Sequence, residues 1–268
     1  MTGGSGVIGA SLALALGRVG VNVAILGTRK ELADKTASMV SKETNTKSIG
    51  VSANVLEKSA IETAKKEINH KLGQINFLIN CAGGNSPKAT TKVEFMDEKI
   101  VSDLDDTFFG LDIEGFQHVF DLNFNGTLIP TMVFAKDMIE LKEGVILNIS
   151  SMNSFRPLTK IPAYSAAKAS INNFTEWLAV HLAKMNIRVN AIAPGFLVTN
   201  QNRFLLVDEK TSELTERGKK IIASTPMGKF GNAEDIEGTM LYLLSDLSKF
   251  VTGVVIPVDG GFNAYSGV

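Results

Sequence analysis

The chain has 268 residues, 44% of them hydrophobic, and a formal net charge of −1 at pH 7. That is the size of one α/β domain with a large core, and the near-neutral charge excludes a general affinity for nucleic acid or anionic membranes. A single cysteine, Cys81, excludes an internal disulfide and fits a reducing, cytoplasmic setting, and no long apolar run marks a membrane span.

The chain opens on Thr2-Gly3-Gly4-Ser5-Gly6-Val7-Ile8-Gly9. Gly4, Gly6 and Gly9 satisfy G-x-G-x-x-G, in which glycines permit a tight turn and let a helix N-terminus approach a pyrophosphate. A helix is predicted after Gly6. Short β-rich runs at 21–26, 48–53, 75–80, 144–149, 187–192 and 254–258 then alternate with amphipathic stretches following Arg29, Leu56, Ile113, Ile161, Thr211 and Ala233. This alternation predicts a parallel sheet covered by helices, and with no linker or repeat residues 1–268 form one domain. Two connections, Gly83 to about Asp112 and Pro194 to about Glu209, exceed the usual loop length and are expected to wall a substrate site. His70, His118 and His181 lie far apart and show no metal-ligand spacing. Cys81 stands among small residues and is read as packing.

Tyr164 and Lys168 stand at i and i+4 of a predicted helix, one above the other and about 6 Å apart along its axis. A phenol ionises near pH 10, and a neighbouring cation lowers that value. With Ser151 thirteen residues upstream, the set supplies a phenol, an ammonium and a hydroxyl that together can move a proton to or from a carbonyl oxygen. Ser150 competes for the serine role.

Six motifs, in order, resemble the short-chain dehydrogenase/reductase family over nearly the whole chain. They are the glycine loop, Asn80-Cys81-Ala82-Gly83, Asn123-Phe124-Asn125-Gly126, Asn148-Ile149-Ser150-Ser151, the Tyr164/Lys168 pair and Pro194-Gly195. The resemblance implies an α/β fold, a Rossmann-type doubly wound parallel sheet with strand order 3-2-1-4-5-6-7. Only Met1 precedes Thr2, so the first, central strand is missing, and a gap flanked by unpaired backbone groups is expected. A misassigned start or truncated chain is the preferred reading over a strandless variant, with roughly 10–15 residues rich in Val and Ile expected upstream.

The resemblance also implies an NAD(P)-dependent oxidoreductase and its residue roles. Tyr164 is the general acid or base, Ser151 holds the same substrate oxygen, and Lys168 binds the nicotinamide ribose and, with the positive nicotinamide, depresses the Tyr164 pKa. Asn123 holds a water in a proton relay to Lys168. Gly3, Gly6 and Gly9 form the phosphate loop, although Val7 occupies a position where the family has glycine. Asn54 stands where an aspartate usually meets the adenine, Asn80 and Gly83 line the cofactor, and Pro194, Gly195 and Thr199 shape the nicotinamide pocket. After the strand at 21–26 stand Gly27, Thr28 and Arg29, with no acid to repel a 2′-phosphate. The cofactor is therefore NAD(H) or NADP(H), with a lean to NADP(H), because Arg29 can pair with that phosphate.

The stretch from Asn148 to Tyr164 is similar to the sugar-acid branch of the family, the D-mannonate oxidoreductases or fructuronate reductases. A gluconate 5-dehydrogenase-like or other polyol activity, a 3-oxoacyl carrier reductase and a cofactor-binding protein without catalysis remain open. A hexuronate carries one carboxylate and several hydroxyls, and Asn85, Asn153, Arg156, Lys160, Asn202 and Arg203 lie on the loops expected around it. The expected partners are a small sugar acid and further copies of the chain, as homodimer or homotetramer, with no nucleic acid, membrane or metal.

Overall fold

Apolar runs with a period of two become strands, and those with a period of 3.6 become the helices that cover them. The computed structural model describes residues 1–199, 203–208 and 211–267. The first half runs α1 (Val7–Arg18), β1 (Val23–Gly27), α2 (Lys30–Thr44), β2 (Ser48–Ser52), α3 (Lys58–Leu72) and β3 (Phe77–Asn80). The second runs α4 (Ile113–Phe120), α5 (Gly126–Leu141), β4 (Gly144–Ile149), α6 (Pro162–Leu182), β5 (Ile187–Pro194), α7 (Arg203–Leu206), α8 (Glu216–Ala223), α9 (Glu237–Leu244) and β6 (Val255–Val258).

Every strand pair is parallel, β1 with β2 and then β3-β4-β5-β6 in order. All six residues of β4 are buried, as expected of a strand covered on both faces. Val145, Leu147 and Ile149 join one core with Leu12, Leu16, Val40, Met240 and Leu243, from α1, α2 and α9. Ile146 faces the opposite core, built by Ile61, Ile68, Phe134, Met138 and Leu178 from α3, α5 and α6. The sheet is therefore doubly wound.

The expected central gap is present, but it is partly closed. Thr2 alone makes parallel bridges to Leu26 on one side and to Asn80 on the other. Thr2 N donates to the Ile79 carbonyl (3.0 Å), and Leu26 N donates to the Met1 carbonyl (2.9 Å). The Met1 amino group donates to the Ala24 carbonyl (2.8 Å). Strand order is thus β2-β1-Thr2-β3-β4-β5-β6, with a two-residue stub at the centre. Beside the stub lies a cavity of ≈ 310 Å³ walled by Val23 and Ala24 of β1, Phe77 and Leu78 of β3, and Leu16 and Phe134 from the covering helices.

Strand and helix limits shift where distant partners decide them. The strand expected from residue 75 begins at Phe77, because Ile75 N is taken by the Asp137 carboxylate (3.0 Å). β5 runs on to Pro194, since Ala191–Pro194 pair with β6. The helix expected after Thr211 starts at Glu216, where the Thr215 hydroxyl accepts from Gly218 N (3.0 Å). Between α4 and α5 the chain makes a single π-helical turn, Asp121–Asn125. Among the described residues no helix is long and apolar enough to cross a membrane.

Candidate active site

The C-terminal ends of β3, β4 and β5 meet the start of α6, and the residues expected to handle the proton collect there. α6 begins with Pro162 in its first turn, where a missing N–H is harmless. Tyr164 and Lys168 follow on one face of it. β4 stops at Ile149, leaving Ser150 and Ser151 on its C-terminal edge. The Ser151 hydroxyl accepts from Asn153 N (3.2 Å) and hydrogen-bonds the Tyr164 phenol. Lys168 is buried, donates to the Ile149 carbonyl (2.8 Å), and sits 5.6 Å from the Tyr164 ring centroid.

In the protein alone, without the nicotinamide charge, Lys168 does not depress the phenol. Burial dominates and holds the Tyr164 pKa above its ordinary value, with the Ser151 hydrogen bond opposing it. The ammonium lies over the ring, and its own desolvation lowers the Lys168 pKa to about 8. Burial also pushes the Cys81 thiol up to about 11, which suits a packing residue. Because the folded Lys168 pKa lies below the unfolded value of 10.5, the unfolded chain binds the extra proton between about pH 8 and about pH 10.5, and stability rises with pH there. The denaturant midpoint of the wild type, measured relative to Lys168→Met, should therefore climb across that window. A flat difference would contradict a desolvated ammonium.

Asn123 sits in the π-helical turn, a feature often found at functional sites. Its amide donates to the carbonyls of Gly84 (2.7 Å) and Val119 (2.8 Å), and its Oδ1 accepts from Gly84 N (3.3 Å). The side chain thus clamps the loop after β3. A Cβ at Gly83 would lie 2.6 Å from Asn123 Oδ1 and 3.3 Å from Lys168 Nζ, so only glycine lets that loop pass so close.

The residues of the glycine loop fit a dinucleotide. A Cβ at Gly3, which has φ +62, would fall 2.7 Å from Ala82 N, and one at Gly9 would fall 2.7 Å from the Gly4 Cα. No side chain can intrude there, so the backbone can approach a phosphate. Gly6 caps α1 without a side-chain hydrogen bond, leaving first-turn N–H groups for an anion. Val7, at the position where glycine was expected, begins α1 with its side chain exposed, and the loop still closes through Gly6 N to the Gly3 carbonyl (3.1 Å). Arg29 is exposed at the N-cap of α2, beyond the end of β1. Pro194 is buried at the end of β5, and Gly195 N donates to the Val258 carbonyl (2.9 Å). The Thr199 carbonyl accepts from Arg203 N (2.9 Å).

The side chains of two expected cofactor residues also serve the fold. Asn80 is buried, and its amide donates to Thr131 Oγ1 (2.9 Å) and Asn148 Oδ1 (2.9 Å), so its side chain ties β3 to β4 and α5. Asn54 accepts from Leu56 N (3.1 Å) and donates to Glu57 (2.9 Å), shaping the turn before α3. Thr2 was not singled out by the sequence, yet its buried hydroxyl accepts from Cys81 N (3.1 Å) and Ala82 N (3.3 Å) and fixes the end of β3. Its place beside the first glycine was the available signal.

The substrate candidates fall on the two long loops and the segment after β4. Asn85 is exposed and donates to Thr90 (3.0 Å). Lys160 donates to the Lys92 carbonyl (2.6 Å), and Arg156 to the Tyr265 carbonyl (2.8 Å), so both also hold neighbouring segments. Asn153 is buried beside Ser151 with its Oδ1 unpartnered. Arg203 is exposed at the start of α7, and Asn202 lies outside the described residues.

The family model described as enoyl-(acyl carrier protein) reductase matches residues 4–263. An uncharacterized oxidoreductase of Haemophilus influenzae is 50% identical over 269 residues, spanning 100% of this chain and 93% of the relative. An uncharacterized oxidoreductase of Bacillus subtilis, UxuB, is 46% identical over 269 residues, spanning 100% and 95%. A Haemophilus influenzae crystal structure with bound NAD, provisionally named a D-mannonate oxidoreductase, superposes with a TM-score of 0.94 at 50% identity, covering 100% of this chain and 95% of that one. The chain belongs to the short-chain dehydrogenase/reductase family of oxidoreductases.

Proposed function

We propose that this protein reduces the ketone of a hexuronate, D-fructuronate to D-mannonate, with NADH or NADPH. The observation that carries the reaction type is the meeting of Tyr164, Ser151 and Lys168 at the C-terminal edge of β4. The substrate class rests on the likeness to the protein provisionally named a D-mannonate oxidoreductase. When bound, the nicotinamide dinucleotide supplies the hydride.

Gly3, Gly6 and Gly9 would hold the pyrophosphate, and Lys168 the nicotinamide ribose. Its hydrogen bond to the Ile149 carbonyl fixes where the ammonium points. Because burial raises the Tyr164 pKa, the phenol keeps its proton at neutral pH and can give it to the ketone oxygen as that oxygen gains charge. Ser151, already bonded to the phenol, donates to the same oxygen and holds it in reach. Such assistance is worth about 10²–10⁴-fold. Asn153 Oδ1, buried without a partner, would accept a substrate hydroxyl, since an unsatisfied buried acceptor costs about 1–3 kcal/mol.

For the carboxylate we propose Arg203, with Arg156 contributing N–H groups not spent on Tyr265. Replacing Arg203 by Met should raise the uronate KM about tenfold or more and leave that of an uncharged ketose within about twofold, since a charge-assisted contact is worth about 1.5–3 kcal/mol. Equal effects on both substrates would remove Arg203 from the site. We also infer that copies associate through the outer face of α6, where Trp177 and Val180 are 58% and 81% exposed. Light scattering on the wild type and on Val180→Glu tests this, and a monomeric wild type would contradict it.

A further inference from the structure

Three side chains behind the proton-handling pair form a directed hydrogen-bond chain that no catalytic role uses. Asn172 lies on α6 one turn beyond Lys168, on the face that carries Tyr164. The Ser150 hydroxyl donates to Asn172 Oδ1 (2.5 Å), and Asn172 Nδ2 donates to Ser154 Oγ (2.8 Å). The Ser154 hydroxyl in turn donates to the Ser151 carbonyl (2.5 Å). The polarity of this chain is forced from its far end. A carbonyl only accepts, so the Ser154 proton is committed to Ser151, and Asn172 must then present N–H to Ser154 and its oxygen to Ser150. The chain brackets Ser151 on both sides and fastens it to the helix that carries Tyr164 and Lys168. Ser150 N is independently pinned to the Ile192 carbonyl (2.8 Å), so the frame is anchored in the sheet.

We propose that Asn172 is a positioning residue for the reduction, holding the Ser150–Ser154 turn so that the Ser151 hydroxyl stays aligned with Tyr164. This rests on the function proposed above. No other side chain in the chain of bonds is both donor and acceptor through separate atoms, so hydroxyl or apolar replacements cannot bridge Ser150 and Ser154. An aspartate can do so in one state only. Protonated, it offers O–H to Ser154 and a carbonyl oxygen to Ser150, copying the amide. Ionised, it is acceptor-only and competes with the Ser151 carbonyl for the Ser154 proton.

The test measures kcat, KM and cofactor Kd for the wild type, Asn172→Leu and Asn172→Asp across the acid-to-neutral range. Asn172→Leu should lower kcat about tenfold or more, as expected for a small misplacement of a reacting group, with cofactor Kd within about twofold. Asn172→Asp should be similarly impaired at neutral pH and regain kcat relative to the wild type as its carboxyl protonates. Should Asn172→Leu fail to fold, the acid recovery of Asn172→Asp still decides. A kcat ratio near one for Asn172→Leu, or an Asn172→Asp deficit that ignores pH, would overturn the proposal. If the wild type turns over a different carbonyl compound and no sugar acid, the substrate reading fails instead, and the same comparison is made on that compound.

Discussion

Tyr164→Phe is expected to abolish turnover while leaving cofactor affinity within about twofold of the wild type. The substitution removes one oxygen and keeps the ring over which the Lys168 ammonium sits, 5.6 Å from the centroid. It also keeps the bond from Lys168 to the Ile149 carbonyl, which is independent of the phenol. What is lost is the proposed proton donor and its hydrogen bond with Ser151. Removing general acid assistance should slow the reaction by about 10²–10⁴-fold. Turnover above a tenth of the wild-type rate, or a large loss of cofactor affinity, would show that Tyr164 serves packing or binding and not proton transfer.

The second large effect is expected in stability, from filling the slot at the centre of the sheet. Placing four residues rich in Val and Ile ahead of Met1 should raise the melting temperature by about 10 °C. The slot has ≈ 310 Å³ of space between β1 and β3, walled by apolar side chains such as Leu16, Val23, Leu78 and Phe134, with Asn22, Gln74 and Asn76 also on its wall. A strand there would pair backbone groups on both flanks, each worth about 1–3 kcal/mol when otherwise buried and unpaired. It would also bury Val and Ile side chains at about 1.5–3 kcal/mol each. A few kcal/mol net corresponds to the stated shift, at about 2–4 °C per kcal/mol for domains near this size. The extension also turns the partly buried Met1 amine into an amide. That amine is lowered from 8.0 to about 6 by desolvation, so stability falls as pH drops from about 8 to about 6, and the extended chain should lack that slope. A Gly/Ser extension of equal length is the control. If it stabilises as much as the Val/Ile segment, the slot does not accept a strand.

Local geometry is what the sequence discloses best. Tyr164 and Lys168 are legible because a spacing of four on a helix puts two side chains on one face whatever surrounds them. β4 is legible because residues buried on both faces make a continuous apolar run, and its limits, Gly144–Ile149, match the expectation. Where a distant group decides, the sequence is silent. Nothing near Ile75 says that the Asp137 carboxylate will take its N–H. Arg156 and Lys160 read as cations placed for a sugar acid, and their partners on the C-terminal tail and on the loop after β3 are not visible in the sequence. Asn80 reads as a cofactor residue, but strand alternation turns its side chain to Thr131 and Asn148. The balance of forces on Tyr164 is likewise invisible, because spacing reveals the neighbouring cation and not the desolvation that outweighs it. Asn172 is one polar residue among several on its helix, and only the structure shows both of its hydroxyl partners.

One measurement bears most directly on the proposed activity. Purified protein is given NADH or NADPH with D-fructuronate, an uncharged ketose or a 3-oxoacyl thioester, and the oxidised cofactor and reduced product are followed. The account predicts that D-fructuronate gives the highest kcat/KM and that D-mannonate accumulates in step with cofactor oxidation. Faster reduction of the acyl thioester or of the uncharged ketose than of any sugar acid would contradict it.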